Sequence, residues 1–367
     1  MTDLELDVDT RSILNANGFD RIPFAQLQER LKKEGFNPDA SRTTSNIQHP
    51  PQDELLTCPA PGSRMEEYRA MGQRAIAAGE VAVVILNGGM ATRFGGVPKG
   101  VVPVLNNRSF LDYKLSQVRV AGEGRTTAVL MNSFATAAVT KQHVDNLTLD
   151  LDIRSFNQFV SLRMTPGGDV FRTADGKPSL YAPGHGDFPF ALAASGILDD
   201  LMKQGVRYVT LSNVDNLGAG LDPVIIGMHV KSGRPMSVEL VAANPGDVGG
   251  FPALVDGKIV IMEAFRLPAD FDTGTISVFN TNTFIFDAAA LKAAPDLTWF
   301  SVKKKVGDAQ AVQWERLVGQ MTEFVDVTWL VVSRSGETSR FIPIKTVEDI
   351  TLHREALSCR LSALGVL

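Results

Sequence analysis

At 367 residues, with 44% apolar and 21% charged side chains, the chain has the make-up of a folded protein of one large α/β domain with an appendage, or of two domains. A formal net charge of −5 argues against a nucleic-acid binder, which carries a basic face, and the 32 glycines and 19 prolines show no collagen-like triplet. Cys58 and Cys359 stand too far apart for a close-spaced metal motif, and two thiols make no disulfide framework. The start is acidic without an apolar stretch, and the longest apolar run is VAVVIL (81–86), so a cytoplasmic protein with no membrane segment is expected.

In chain order, FAQLQERLKKE (24–34) places Phe24, Leu27 and Leu31 on one helical face before Gly35. Polar, proline-rich residues 37–63 read as a wrapped linker, and 64–78 as a second helix, so 1–80 form a helical N-terminal segment. VAVVIL (81–86) has the continuous β-branched character of a strand buried on both faces. A glycine-rich loop, a helix near 110–120, a strand at 127–132 and a helix at 135–143 follow, then a helix over 188–205 and a strand at 206–212. Strands alternating with helices predict a mainly parallel sheet covered on both faces, a Rossmann-like α/β fold over 81–349. DG and GG turns near 167–180 and 247–265 predict added antiparallel hairpins. The tail, 350–367, reads as a short helix with Ile350, Leu352, Leu357 and Leu361 as an apolar stripe, packed on its own domain or on a second copy.

The chemistry concentrates in LNGGMATRFGGVPKG (86–100), where a buried strand runs into Gly88-Gly89 and two cations, Arg93 and Lys99, follow. Glycine lets backbone N–H groups approach an anion closely, so this is an anion cradle or a plain strand–helix turn. It lacks both the Gly-Lys-Ser/Thr of a P-loop and the G-x-G-x-x-G of a dinucleotide fold. In SNVDNLG (212–218), Asn213 and Asp215 follow a strand, at the carboxyl end where open sheets bind ligands. Asp215 is a hard oxygen donor suited to Mg²⁺, or else a helix cap. His185 lies between glycines with no second histidine at ligand spacing, so it is not a metal ligand. Asn280 and Asn282, two apart, would share one strand face and suit sugar hydroxyls, unless they form a turn. Lys345 ends the apolar run FIPI, which would fix an otherwise ordinary surface lysine. The run Lys303-Lys304-Lys305 reads as a solvated face.

The segment 86–100 resembles the nucleotide loop of the UDP-sugar pyrophosphorylase family, closed by the Pro98-Lys99 pair. VLMNSF (129–134), FNQ (156–158), PGHGD (183–187), SNVDNLGA (212–219), FNTN (279–282) and FIPIKT (341–346) match the family in order, over about 81–349. The resemblance implies a GT-A-like nucleotidyltransferase that makes UDP-glucose and pyrophosphate from UTP and glucose 1-phosphate, reversibly and with Mg²⁺. It places Leu86, Asn87, Gly88, Gly89, Lys99, Met131, Gln158, Gly184 and Lys345 at UTP. It places His185, Asn213, Val214, Gly250, Glu263, Asn280 and Asn282 at the sugar phosphate, with Asp215 on the metal and Lys345, Lys99 and Arg93 as the catalytic cations. Met131, by residue type alone, would be core. The tail shows no hexapeptide-repeat β-helix, which implies a monomer or dimer. Three other functions compete: a pyrophosphorylase for another sugar 1-phosphate or an N-acetylhexosamine, a GT-A-like glycosyltransferase, and a non-catalytic UDP-sugar sensor. A glycosyltransferase would show Asp-x-Asp in place of Asn213-Val214-Asp215, and a sensor would not need Lys99, Asp215 and Lys345 together.

Overall fold

VAVVIL forms a strand at the heart of the sheet, in a computed structural model that describes residues 6–91, 96–247 and 249–367, the side chains of Met90 and Ala91 excepted. In chain order the sheet's strands are β1 (Leu55–Thr57), β2 (Val81–Leu86), β3 (Thr127–Asn132), β4 (Ile153–Asn157), β5 (Tyr208–Asn213), β6 (Met236–Ala242), β7 (Val278–Asp287) and β8 (Val327–Val331). They lie in the order β1-β8-β6-β7-β5-β2-β3-β4. The neighbours are parallel except around β7, which runs against both β5 and β6. The sheet is thus mixed but mainly parallel.

The side-chain alternation of β2 explains why every residue in it is apolar. Val81, Val83 and Ile85 join a core shared with helices Ser63–Ala77, Phe110–Gly122, Pro223–Ser232 and Arg354–Ala363. Ala82 and Val84 face the opposite core, filled from helices Phe188–Ala194 and Ile197–Lys203. Each of the valines and Ile85 contributes about 1.5–3 kcal/mol on burial, Ala82 less.

Several expectations are corrected. Residues 37–63 are more than a linker: Leu55–Thr57 adds an edge strand to the main sheet, and Ile47–Gln48 pairs with Leu254 and Val255. The helix Ser63–Ala77 lies so close to Pro223–Ser232 that a Cβ on Gly72 would stand 1.9 Å from the Pro223 carbonyl oxygen, and one on Gly227 1.8 Å from that of Tyr68. Much of the first eighty residues therefore shares the sheet and its core. The helix expected over 188–205 is two helices, divided at Gly196, whose φ of +78° a helix cannot accommodate. The tail is also two helices, Val347–Leu352 and Arg354–Ala363. Leu357 and Leu361 are fully buried at home, but Leu352 is 75% exposed and does not belong to the stripe.

The hairpin Gly250–Val255/Lys258–Glu263 forms around Asp256 and Gly257, both at positive φ. In 167–180 the pairing is thinner: bridges Met164–Val170 and Arg172–Pro178 in place of full strands. A further hairpin, Phe300–Val306/Ala309–Glu315, escaped the sequence reading, and Lys303, Lys304 and Lys305 are exposed on it. Among the described residues no helix is long and apolar enough to cross a membrane.

Candidate active site

From β2 the chain steps outward to β3 and β4, then returns to β5 on the other side of β2. That reversal is the switch point at which open α/β sheets bind ligands. Leu86, at the end of β2, sits in register between Met131 of β3 and Asn213 of β5. A cleft of about 550 Å³ opens above them, lined by Leu86, Gly88, Gly89, Lys99, Met131, Gln158, Gly184, His185, Asn213, Val214 and Asp215 from the sequence reading. Arg163, Tyr181, Ala182 and Gln313 complete the lining.

The glycine loop is fastened from below. Asn87 donates its backbone N–H to Met131 O (2.8 Å), and its buried side-chain amide donates to Asn132 Oδ1 (2.7 Å) and Thr140 Oγ1 (2.9 Å). Its side chain thus anchors the loop and does not line the cleft. At Gly88 a Cβ would meet Gln158 Nε2 at 2.0 Å, so glycine here lets the Gln158 amide lie against the loop. Met90–Ala91 pairs with Val97–Pro98, and the Lys99 N–H donates to Gly89 O (3.3 Å). The loop so closed brings the Lys99 ammonium onto the Asp215 carboxylate in an ion pair. Arg93 lies outside the described residues.

His185 is held as a neutral donor. Its Nδ1 accepts from the Val318 N–H (3.1 Å), and burial pushes its pKa down to about 4. A neutral imidazole with Nδ1 accepting carries its proton on Nε2. The loop beneath it is locked by Asp187, which pairs with Arg316; burial pushes this carboxyl up to about 6 despite the guanidinium. Arg163 donates from Nε to Gln313 Oε1 (2.8 Å), and from Nη1 to Ser179 Oγ (3.0 Å) and Leu180 O (2.8 Å). These partners are neutral, and burial lowers the guanidinium's pKa.

The remaining predicted residues stand outside the lining. Asn282 donates its side-chain amide to Asn213 Oδ1 (3.0 Å), and its N–H to Asn280 Oδ1 (3.0 Å), so the pair braces Asn213 from behind. They do not share a face by strand alternation as expected. Asn282 has φ +57°, and the β6–β7 register slips between Val238 and Leu240. Gly250 and Glu263 lie opposite each other on their hairpin. Burial pushes the Glu263 carboxyl up to about 7, outweighing the pull of Arg266. Lys345 is exposed, and its run FIPI makes a bridge at Pro343 with Asn216, not a strand. Its neighbour Ile344 donates to Asp215 O (3.3 Å), and its own N–H donates to Asp349 Oδ2 (2.7 Å), which ties Lys345 to the loop of Asp215.

Among the described residues no three His, Cys, Asp or Glu side chains gather to cage a metal. A lone Asp215 beside a cleft does fit Mg²⁺, which takes one or two carboxylates and draws its other ligands from phosphate and water.

A mainly parallel sheet with a glycine loop, a lysine–aspartate pair and a neutral histidine converging at its switch point defines an α/β protein with a cleft where such sheets bind ligands. The family model described as UTP–glucose-1-phosphate uridylyltransferase matches residues 23–362, and the chain belongs to that family. It is 31% identical over 295 residues to UTP–glucose-1-phosphate uridylyltransferase 2 of Dictyostelium discoideum, covering 74% of this chain and 58% of that one. It is 29% identical over 292 residues to the UTP–glucose-1-phosphate uridylyltransferase of Solanum tuberosum, covering 74% and 61%. The chain thus spans about three fifths of the length of these relatives. Its fold resembles that of a uridine diphosphate N-acetylglucosamine pyrophosphorylase from Trypanosoma brucei (TM-score 0.77, 20% identity, 94% of this chain and 79% of that one). It also resembles a variant of the UDP-glucose pyrophosphorylase from Leishmania major (TM-score 0.73, 23% identity, 94% and 78%).

Proposed function

We propose that the protein is a uridylyltransferase that joins UTP and glucose 1-phosphate into UDP-glucose and pyrophosphate, reversibly and with Mg²⁺, on a GT-A-like sheet. The observation that carries this reading is the meeting of Lys99 and Asp215 at the switch-point cleft, with Gln158 and His185 in the same wall. A phosphate oxygen of the sugar attacks the α-phosphorus of UTP while the bond to the bridging oxygen of pyrophosphate breaks in line. The attacking oxygen is already an anion, so no general base is needed; the work is positioning and charge neutralisation.

Each residue then has a part. Gly88 and Gly89 offer backbone N–H groups to the phosphates, and the Gln158 amide pairs with the uracil edge. The His185 Nε2–H donates to the sugar phosphate without adding charge. Lys99 and Lys345 neutralise the triphosphate, each such contact being worth about 3 kcal/mol of barrier, roughly a hundredfold in rate. Asn213, braced by Asn282, and Glu263 on its hairpin address the sugar hydroxyls. Asp215 would hold Mg²⁺, which when bound would supply positive charge to offset that of the phosphates.

The T. brucei neighbour favours a second reading of the sugar, an N-acetylhexosamine 1-phosphate. Pyrophosphate release from UTP against a panel of sugar 1-phosphates tests both. The first reading expects glucose 1-phosphate to be turned over fastest, and an absence of release with every sugar would overturn both.

A further inference from the structure

The segment that follows Asp215 is held by its carbonyl oxygens. Asp215 O accepts from the Ile344 N–H (3.3 Å), Leu217 O from Gln117 Nε2 (2.9 Å), Gly218 O from Arg360 Nε (3.3 Å), and Gly220 O from Arg340 Nη2 (3.1 Å). The two between them, Asn216 O (3.0 Å) and Ala219 O (2.7 Å), accept from a single group, the Lys114 ammonium. Its third hydrogen bond goes to Ser212 Oγ (2.8 Å), on β5 one residue before Asn213. One side chain therefore ties the strand end to the far end of the loop, and Asn213 and Asp215 hang between the tied points.

Lys114 comes from helix Phe110–Gly122 and is only 3% exposed. Its hydrogen-bond acceptors are neutral oxygens, and the charges that reach it are Arg340 and Arg360 against it and Asp215 and Glu239 in its favour. Burial pushes its pKa down to about 7. A packing role alone would be served by an apolar side chain at no such cost. What the ammonium supplies is three protons in tetrahedral directions, matched to three oxygens that no methyl group could hold.

We propose that Lys114 is a positioning residue, which through Ser212, Asn216 and Ala219 sets where the Asp215 carboxylate stands and hence how tightly the cleft holds a divalent cation with nucleotide. The inference rests on the reading of Asp215 given above. Losing a group that orients a metal ligand typically costs about 10–100-fold in metal affinity.

The test uses Mn²⁺ as the probe, its binding to the full chain with UDP-glucose read by electron paramagnetic resonance, so that turnover is not involved. Lys114→Met should weaken Mn²⁺ binding about tenfold, and Ser212→Ala, which removes one of the three acceptors, about threefold. Affinity for UTP in the presence of a chelator should stay within about twofold for both, a split that general loosening of the fold would not give. Folded Lys114→Met that binds Mn²⁺ as the unmodified protein does would overturn the inference and leave the site reading standing. Should Lys114→Met fail to fold, unchanged Mn²⁺ binding by Ser212→Ala overturns it instead. An unmodified protein that takes up no Mn²⁺ would overturn the metal reading of Asp215 and this inference with it.

Discussion

The strand-end lip of the cleft and the hairpin that carries Glu263 prepare for a ligand in opposite ways. On the strand-end lip, Lys99 rests on Asp215, His185 on the Val318 N–H and Asn213 on Asn282 before anything binds. On the hairpin, no hydrogen bond among the described residues reaches the Glu263 carboxyl, and burial pushes its pKa up to about 7. The first is drawn from strand ends and the turns beside them, each side chain tied by a hydrogen bond or an ion pair; the second is a hairpin whose carboxyl feels the charge of Arg266 but takes no hydrogen bond from the described residues. Preorganisation thus belongs to the residues proposed to meet charge, whereas the carboxyl proposed to meet hydroxyls is not held by such bonds.

The sharpest way to break this contrast is at the charged lip. Asp215→Ala should lower kcat by about a hundredfold to a thousandfold, with the fold retained, and removing Mg²⁺ with a chelator should do the same to the unmodified protein. Pyrophosphate release and circular dichroism measure the two halves of that statement.

At the hairpin the expected effect is on stability and has a definite sign. The folded Glu263 titrates near 7 against an ordinary 4.5, so the folded state binds the extra proton between those values. Stability from this group is complete below about 4.5 and is lost as pH rises to about 7. Glu263→Gln removes that loss: its advantage in unfolding free energy, read from urea melts, should be near zero at pH 4.5 and reach about 3 kcal/mol at pH 8. An advantage independent of pH would mean that the carboxyl finds a partner.

The smallest effect is expected at Gly88. A Cβ there meets the far end of the Gln158 side chain, which can swing aside, so Gly88→Ala should fold with a stability change under about 1 kcal/mol. The displaced amide should nevertheless raise KM for UTP about tenfold and narrow its preference over ATP, as parallel kinetics with both nucleotides would reveal.

What could be read in the sequence follows the same division. β2 is legible because a strand buried on both faces is an uninterrupted apolar run, β3 and β5 by apolar cores alternating with helices, and the motifs at their ends fall in the cleft. Asn280 and Asn282 were placed by an alternation that the positive φ of Asn282 breaks. Arg163 and Gln313, 150 residues apart, meet through hairpins that carry no motif, and the bare Arg in VSLRM was the sole hint. Leu55–Thr57 is three residues long, too short for a period to show. Lys114 carries no signal in the sequence, because nothing local marks a side chain whose partners lie about a hundred residues on.

The edge strand β1 has a consequence for synthesis of the chain. Its partner in the sheet is β8, about 270 residues later, so at roughly 5–20 residues per second β1 leaves the ribosome tens of seconds before Val327–Val331 exists. The nascent sheet can assemble outward from β2, β3 and β4 and then add β5, but its far margin stays open until β8 arrives. During that interval β6 presents an unpaired edge, the feature that invites pairing with other chains. Conditions that slow translation between β6 and β8 should therefore cost soluble yield more than the same delay placed before β2.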